Sequence, residues 1–410
     1  EISRSNIFDR KNYFYPDLPK GYQLTQDRTP ICLGGYVTVT PVDGEVRDIV
    51  MNRIHVEEDA GKSIHLDGEN DSLIDFNRAG VPLIEIVTEP VIKTSAEAFS
   101  FLAEIRKMVR YLDICDGNME EGSLRCDANI SIRLKGDQNL EKKVEVKNMN
   151  SMRNVQRAID HEFERQVMEL EKGNEIVSET RTFDATAGTT AGMRTKEELN
   201  DYRYFPDPDL SPLHVSEDWL NQIKANMPVL PRALYLKYTS NYQLPELDAQ
   251  VLTETKEMAH YFEAFAEKIG NYKQASNWLM GPVKSYLNEQ SIEISLFPLQ
   301  VDRFSELIGL VNSNKVSHTA ASQTLFKSLI ENPDKTASQL AEELNLLQNS
   351  DSDHLGELID AIIVDFPDKV KAFKNGKKGL MGMFMGELMK RSKGKADPKV
   401  ATELLKEKLS

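Results

Sequence analysis

Carboxylate side chains concentrate in three short segments of the N-terminal half of the chain. Residues 55–59 read His-Val-Glu-Glu-Asp, residues 82–87 place Glu85 inside an apolar run, and Glu120 precedes an alternating segment. A carboxylate buried among apolar side chains is costly unless it is paired or binds a metal, so Glu85 needs a partner. Oxygen ligands without cysteine favour Mg²⁺, which is commonly held together with phosphate oxygens. The pattern therefore indicates a metal or phosphate site.

The same acids could instead form structural salt bridges, and the pattern alone leaves both interpretations open. The basic residues available for them are Arg53, Arg78, Arg125 and Lys147. Residues 60–63 (Ala-Gly-Lys-Ser) resemble the end of a P-loop, but Val56 stands where that motif requires its first glycine. We therefore interpret Lys62 as a surface lysine. The sequence contains none of the G-x-S-x-G, H-E-x-x-H or G-x-G-x-x-G motifs, which argues against common hydrolase, zincin and dinucleotide-binding functions.

Alternating apolar and polar residues predict the strands that would position these groups. Residues 49–57 place His55 and Glu57 on one face, and residues 124–134 place Arg125 and Asp127 on one polar face. Strands are also predicted over 31–40 and 143–147. Helical periodicity predicts helices over 95–112, with Ser95 as N-cap, and over 150–171, ending at Gly173. Strands with one polar face, interrupted by long helices, indicate an α+β domain.

Helical periodicity replaces the strand patterns from about residue 227 onwards. Helices are predicted over 248–269, 275–289, 304–311 and 337–346, and a polar stretch over 349–353 reads as a linker. Loops at 374–379 and 392–398 split the helices of the last segment. We therefore predict three domains: 1–226, 227–347 and 348–410.

Composition and charge narrow the class of protein. The 410 residues are 40% hydrophobic and 28% charged, and no apolar run is long enough to span a membrane. Three cysteines without a C-x-x-C pair predict no disulfide framework, no structural zinc and a reducing cytosol. The net charge of −15 argues against a nucleic-acid binder that uses its whole surface.

The charge is nonetheless uneven along the chain. Residues 367–410 carry a net +7, whereas the other 366 residues carry −22. A basic tail on an acidic body favours a polyanion contact at one end, although a solvated lysine-rich helix explains the charge equally well. The residues predicted to contact phosphates are Lys374, Lys377, Lys378, Lys390, Arg391, Lys393 and Lys395. Methionines at helical spacing between them are interpreted as core.

Several long segments together resemble the B-type subunit of the aspartyl/glutamyl-tRNA amidotransferase family, in order along the whole chain. They are residues 8–23 (Phe-Asp-Arg-Lys-Asn-Tyr-Phe-Tyr-Pro-Asp-Leu-Pro-Lys-Gly-Tyr-Gln), 55–63, 77–87 (Asn-Arg-Ala-Gly-Val-Pro-Leu-Ile-Glu-Ile-Val), 119–129, 201–206 (Asp-Tyr-Arg-Tyr-Phe-Pro) and 375–398. The resemblance implies a cradle domain of the glutamine synthetase and guanidino-kinase type, a helical domain, and a small helical tail domain that contacts tRNA.

The resemblance also implies the chemistry. ATP would phosphorylate the side-chain carboxylate of Glu-tRNA(Gln) or Asp-tRNA(Asn). Ammonia from a glutaminase subunit would then displace phosphate, in a cytoplasmic heterotrimer completed by a third, small subunit. Phosphoryl transfer between anions needs Mg²⁺ and fixed cations. The predicted metal ligands are Glu57, Glu58, Glu85 and Glu120, with Glu58 and Glu85 sharing one ion. The predicted catalytic residues are Lys11, Lys20, Arg125 and Asp127.

The family pattern begins before residue 1 of this sequence, with a Gly-Leu-Glu-Val-His-Val segment whose Glu and His join the metal site. We therefore expect the sequence as given not to phosphorylate its substrate. Cysteine pairs for zinc occur in that segment in some members, and nothing in this sequence supports zinc. Two other functions remain open. A tRNA-binding scaffold explains the basic tail but not Glu85, and a stand-alone Mg²⁺-dependent phosphohydrolase leaves the tail unexplained.

Overall fold

The architecture is mixed α+β, as the sequence predicts. The structure, a computed structural model, describes residues 1–42, 44–65, 71–137, 140, 142–195, 202–348, 352–392 and 396–409. The chain forms two compact units, Glu1–Leu230 and Pro231–Ser410, which are described separately below. The predicted boundary between residues 226 and 227 lies close to this division, and the second predicted boundary, between 347 and 348, stays a prediction.

The first unit carries the strands. In chain order they are β1 (Ser5–Asn6), β2 (Asp9–Asn12), β3 (Tyr22–Thr25), β4 (Cys32–Leu33), β5 (Tyr36–Val39), β6 (Arg47–Glu58), β7 (Lys62–His65), β8 (Ser72–Asp75), β9 (Pro82–Thr88), β10 (Ala128–Ile130), β11 (Val144–Lys147), β12 (Glu179–Asp184), β13 (Thr189–Thr195), β14 (Arg203–Pro206) and β15 (Leu213–His214). Its helices are α1 (Ser95–Tyr111), α2 (Met152–Glu171) and α3 (Glu217–Asn226).

Long strand β6 organises the part of the unit that carries the clustered acids. It pairs antiparallel with β4, β5 and β9. A second, antiparallel sheet has the order β14-β2-β3. A third has the order β10-β11-β12-β13 and is mixed, because β11 and β12 run parallel. The alternation predicted over 49–57 is confirmed, whereas the strand predicted over 124–134 is regular only from Ala128 to Ile130.

Helix α1 joins two hydrophobic cores. Phe101, Ile105 and Val109 pack with Val39 and Ile49 of β5 and β6. Leu102 packs instead with α2 and the mixed sheet. The cap of α1 differs from the prediction by one residue, because the Thr94 side chain, not that of Ser95, accepts the Glu97 N–H. The predicted end of α2 is confirmed, since Gly173 there adopts a positive φ of 83°.

The second unit is helical in the part of the chain that the structure describes. Its helices are α4 (Pro231–Leu236), α5 (Glu246–Leu252), α6 (Lys256–Ile269), α7 (Tyr272–Trp278), α8 (Lys284–Gln290), α9 (Val301–Asn312), α10 (His318–Ala320), α11 (Phe326–Glu331), α12 (Ala337–Glu343), α13 (Ser352–Asp365), α14 (Pro367–Lys374), α15 (Met381–Arg391) and α16 (Pro398–Leu409). π-Helical segments link several of them, and none of these helices is long and apolar enough to cross a membrane.

Two departures from the predicted helices have local causes. The helix predicted over 248–269 is broken, because the Thr255 side chain accepts the Met258 N–H and starts α6. The helix predicted over 275–289 is continuous but widens to a π-helix over Leu279–Val283, which contains Pro282. Proline has no N–H for the α-helical ladder, and a π-helical turn accommodates that loss. The predicted linker over 349–353 lies largely outside the described residues.

The last four helices enclose a hydrophobic core of their own. Its buried members include Leu355, Ile359, Phe384 and Leu405, and four methionines pack against it. Phe373 and Phe384 meet edge to face, with ring centroids 6.2 Å apart. The interpretation of these methionines and phenylalanines as core is confirmed.

Candidate metal and phosphate site

Three potential metal ligands meet where β6 and β9 pair. His55 and Glu57 are two residues apart on β6 and so share a face, and Glu85 of β9 lies directly opposite His55. The His55 Nε2 atom lies 3.7 Å from Glu57 Oε2 and 3.7 Å from Glu85 Oε2. One ligand atom from each residue lies within 4.8 Å of the others. Strand pairing thus builds a compact group of one imidazole and two carboxylates.

Glu57 is buried, and hydrogen bonds surround its carboxylate. Gln23 Nε2 donates to Oε1 at 3.0 Å, and Thr25 Oγ1 donates to Oε2 at 2.8 Å. Lys11 Nζ lies 3.9 Å from Oε1. Burial opposes ionisation, but the hydrogen bond with His55 and the positive charge of Lys11 outweigh it, so the pKa of Glu57 falls below its ordinary value. Glu57 is therefore anionic at neutral pH.

Glu58 points the other way, because neighbouring residues of a strand face opposite sides of a sheet. Its Oε1 accepts the Leu24 N–H at 2.9 Å and pairs with Lys20 Nζ at 2.5 Å. Glu58 is not a member of the His55 group, so the structure brings Glu57, not Glu58, to Glu85. The assignment of Glu58 as a ligand stays a prediction.

The expected burial of Glu85 is wrong. Its side chain is 50% exposed. Within the described part of the chain, β9 pairs only with β6, so its apolar sequence does not imply burial on both faces. Glu85 therefore needs no partner to offset burial, and its place in the group rests on cross-strand pairing instead.

Glu120 also lies outside the His55 group, exposed on a turn. Asn118 Oδ1 accepts the backbone N–H groups of Glu120 and Glu121, at 3.0 and 3.4 Å. These bonds fix the turn and leave the Glu120 carboxylate directed by nothing that the structure describes. Its role as a ligand stays a prediction.

The salt-bridge alternative holds for Asp59 and Asp127. The Asp59 carboxylate accepts from Arg125 at 2.7 Å and from Arg78 at 3.0 Å. Asp127 Oδ2 lies 2.5 Å from Lys147 Nζ. Two of the predicted catalytic residues, Arg125 and Asp127, are thus each engaged in an ion pair.

The residues that resemble a P-loop form no loop. Lys62 begins β7, and the Gly61 N–H donates to the Asp17 carbonyl at 2.8 Å. A Cβ added at Gly61 would meet the Asp17 and Asp75 carbonyl oxygens at 2.8 and 2.9 Å. Gly61 is therefore required by close backbone approach and not by a phosphate.

The His55 group fits a divalent cation. Ligand atoms at neighbouring corners of an octahedral ion stand about 3.0 Å apart when each bond is about 2.1 Å, so separations of 3.7 Å close with small side-chain rotations. His55 is buried, and its Nδ1 atom has no hydrogen-bond partner among the described residues. The imidazole broadens the choice of ion beyond Mg²⁺, because nitrogen ligands also suit Mn²⁺ and Zn²⁺.

Sequence reasoning missed His55 as a ligand, although the signal was present. A histidine and a glutamate two residues apart on one strand must share a face. Lys11, by contrast, is brought to the group as predicted. Its ammonium lies 3.9 Å from Glu57, and 5.0 and 5.9 Å from the ring centroids of Tyr202 and Tyr13.

The predicted tRNA contacts in the tail are only partly described. Lys374, Lys377, Lys378 and Lys390 are exposed. Arg391 is engaged within the tail, with Asp365 at 2.7 Å and Glu387 at 3.0 Å. Lys393 and Lys395 lie outside the described residues.

Fold and site together define a class of protein in which an α+β domain carries an acidic, cation-compatible cluster and is followed by a helical unit. A family model described as the GatB/GatE catalytic domain matches residues 1–221, and one described as a GatB domain matches residues 260–409. The chain belongs to the family of the B-type subunit of the aspartyl/glutamyl-tRNA(Asn/Gln) amidotransferase, as the curated relatives below show.

Three curated relatives are named as that amidotransferase component. The protein of Chlorobium luteolum is 46% identical over 408 residues, which cover 100% of this chain and 85% of the relative. The protein of Syntrophotalea carbinolica is 44% identical over 409 residues, with the same two shares. The protein of Rickettsia rickettsii is 44% identical over 410 residues, covering 100% of this chain and 84% of the relative.

Proposed function

We propose that this chain is the synthetic component of a glutamine-dependent, tRNA-dependent amidotransferase, a ligase that forms carbon–nitrogen bonds. Using ATP, it activates the side-chain carboxylate of Glu-tRNA(Gln) or Asp-tRNA(Asn). It then completes transamidation to Gln-tRNA(Gln) or Asn-tRNA(Asn). The observation that carries the proposal is the His55, Glu57 and Glu85 group, with a lysine beside it, in a chain of this family.

Each step follows from the chemistry of the groups. A carboxylate is a poor acyl donor, and an acyl phosphate supplies the leaving group that ammonia displaces. His55, Glu57 and Glu85 would hold Mg²⁺, which when bound shields the phosphate charges of ATP. Lys11, positioned by Glu57 and by the Tyr13 and Tyr202 rings, places a fixed positive charge where a transferring phosphoryl group needs one.

Lys20 and Glu58 contribute to the same region from the opposite face of β6. Their ion pair and the Leu24 N–H fix the end of the strand that carries Glu57. We place Lys20 beside the phosphates on this basis. Arg125, held by Asp59, and Asp127, held by Lys147, complete the proposed set of catalytic residues.

The proposal includes the partners and setting that the family resemblance implies. The chain would work in a cytoplasmic heterotrimer with a glutaminase subunit, which supplies ammonia, and with a third, small subunit. The N-terminal α+β unit would be a cradle of the glutamine synthetase and guanidino-kinase type, and the tail helices would bind the tRNA backbone. The net +7 of residues 367–410 supports the last assignment.

The test uses the complex assembled with the glutaminase and the small subunit. ATP hydrolysis stimulated by Glu-tRNA(Gln) and amide formation from ammonium chloride are measured for the unsubstituted complex, Glu57→Gln and Glu164→Gln. Glu164 is an exposed residue of α2 and serves as a matched control. Loss of both activities only in Glu57→Gln is expected. Full activity in Glu57→Gln would place the chemistry elsewhere.

The competing functions give different results in the same assay. A tRNA-binding scaffold predicts that Glu57→Gln changes neither activity. A stand-alone phosphohydrolase predicts ATP hydrolysis by this chain without tRNA or partners. The buried, anionic Glu57 beside Lys11 favours an active site over a scaffold, because such a pair is costly to bury without a function or a well-formed network.

A further inference from the structure

Gln23 links the segment that follows β2 to the strand that carries Glu57. It lies on β3 and is 6% exposed. Its Nε2 atom donates to Glu57 Oε1 at 3.0 Å and to the backbone carbonyl of Glu58 at 2.7 Å. Its Oε1 atom accepts from the Tyr13 hydroxyl at 2.6 Å. Both donor hydrogens and the acceptor of the amide are therefore used.

The neighbours fix which way this amide points. A backbone carbonyl oxygen can only accept, and so can an ionised carboxylate. The NH₂ end of Gln23 must therefore face Glu57 and Glu58, and the oxygen end must face Tyr13. The Tyr13 hydroxyl is then obliged to donate, and a flipped amide would set two acceptors against each other at the contacts with Glu57 and Glu58.

This arrangement divides the labour between the two oxygens of Glu57. Gln23 holds Oε1, whereas Oε2 is the oxygen that lies 3.7 Å from His55 Nε2. Holding one oxygen fixes the plane of the carboxylate and hence the direction in which the other presents its lone pairs. Hydrogen bonds to a ligating group commonly contribute tenfold to a hundredfold to metal affinity.

We infer that Gln23, oriented by Tyr13, is a positioning residue that sets the direction of the Glu57 carboxylate for cation binding. The inference rests on the metal site of the proposed function, and it assigns a role to two residues that neither bind the ion nor touch substrate. The relay runs from Tyr13 through Gln23 to Glu57, across segments that are far apart in the sequence.

The experiment measures Mn²⁺ binding to the protein by the loss of the free-ion electron paramagnetic resonance signal, without substrate. Gln23→Met keeps the side-chain length and removes the amide, and Tyr13→Phe removes only the hydroxyl. Tyr15→Phe is the matched control, because Tyr15 lies in the same segment and is 50% exposed. Glu57→Gln reports on the site itself. Far-UV circular dichroism and thermal unfolding follow the fold of each variant.

The expected result is a dissociation constant for Mn²⁺ about tenfold higher in Gln23→Met. Tyr13→Phe should change it in the same direction by less, and Tyr15→Phe should not change it. A purely structural role would lower the unfolding temperature and leave the affinity of the folded protein within about twofold, which would overturn the inference.

The outcomes separate the inference from the proposed function. Weaker binding in Glu57→Gln with unchanged binding in Gln23→Met overturns only the positioning role. Unchanged binding in Glu57→Gln overturns the metal site and the inference with it. If Gln23→Met does not fold, Tyr13→Phe decides the inference, and an unchanged dissociation constant in that variant refutes it.

Discussion

The imidazole of His55 lies directly across from the carboxylate of Glu85, with His55 Nε2 and Glu85 Oε2 3.7 Å apart on paired strands. The two residues are distant in the sequence and meet because the register of β6 with β9 places them opposite each other. The pair gives the acidic group a nitrogen donor. It also joins a buried strand residue to a half-exposed one, so an ion held between them would reach solvent and substrate on one side.

His55→Gln is expected to raise the dissociation constant of the protein for Mn²⁺ about tenfold or more, because the amide replaces the nitrogen donor with a weaker ligand. Titration of the free ion measures the change. His214→Gln is the matched control, since His214 is exposed on β15. Equal affinity in the two variants would remove His55 from the ligand set.

Glu58→Gln and Glu85→Gln should have opposite effects on stability and on metal binding. Glu58 accepts the Leu24 N–H and pairs with Lys20, so Glu58→Gln should lower the free energy of unfolding by about 1–3 kcal/mol. Glu85 is half exposed, so Glu85→Gln should change that free energy by less than about 0.5 kcal/mol. Urea denaturation measures both.

Metal affinity in the same two variants should show the reverse order, with the larger loss in Glu85→Gln. That measurement is made on the folded proteins at equal occupancy of the native state. A larger loss of affinity in Glu58→Gln would restore Glu58 as the ligand and exclude Glu85.

Glu162 should stabilise the first unit above its ordinary pKa of 4.5. It is fully buried on α2 and accepts from Arg165 at 2.6 Å, Gln166 at 2.9 Å and Thr190 at 3.0 Å. Burial raises the pKa of its carboxyl, but these bonds, above all that from Arg165, lower it further than burial raises it. Since the folded-state pKa is lowered, the stabilisation is present above pH 4.5 and is lost as the pH falls through the folded-state value.

Glu162→Gln should therefore reduce the free energy of unfolding at pH 7 by about 3–5 kcal/mol, because it leaves buried cationic partners without their anion. The difference from the unsubstituted protein should shrink as the pH falls below 4.5. Chemical denaturation at several pH values measures this, with exposed Glu164→Gln as the control. A difference independent of pH would show that packing, and not charge, is responsible.

Gly61→Ala should be destabilising by about 1–3 kcal/mol, since the added methyl group would overlap the Asp17 and Asp75 carbonyl oxygens. Gly309→Ala on helix α9, where an added Cβ meets nothing within 4 Å, should stabilise by about 0.5–1 kcal/mol. Thermal unfolding compares the two. Lys62→Ala should leave ATP hydrolysis by the complex unchanged, and a large loss would revive the phosphate-loop interpretation.

Replacing Lys374, Lys377 and Lys378 by glutamine should weaken tRNA binding and lower the slope of log affinity against log salt by about 2–3, because each phosphate contact contributes about 0.7–0.9. Binding is measured for the assembled complex over a range of salt concentrations. The control replaces Lys369, Lys371 and Lys399, which are exposed on the same tail and remove equal charge. Equal slopes in the two variants would show that only the net charge of the tail matters.

The sequence by itself determined the order of elements and much of the chemistry. Alternation along 49–57 already assigns His55 and Glu57 to one face, because a strand repeats every two residues. The helices at 95–112 and 150–171 follow from apolar spacing, and the tail core follows from its methionines and phenylalanines. Local periodicity reports which face a residue occupies, and those predictions were confirmed to within a few residues.

Tertiary structure alone decided which acids meet. Glu57 and Glu58 are indistinguishable by composition, yet the sides they occupy depend on what covers each face of β6. Glu85 reads as buried because its neighbours are apolar, but its exposure depends on whether a second strand pairs with β9. Strand register and sheet edges are set by contacts between distant segments, and no local pattern carries them. The relay from Tyr13 through Gln23 to Glu57 has the same origin, since it exists only once these distant segments have come together.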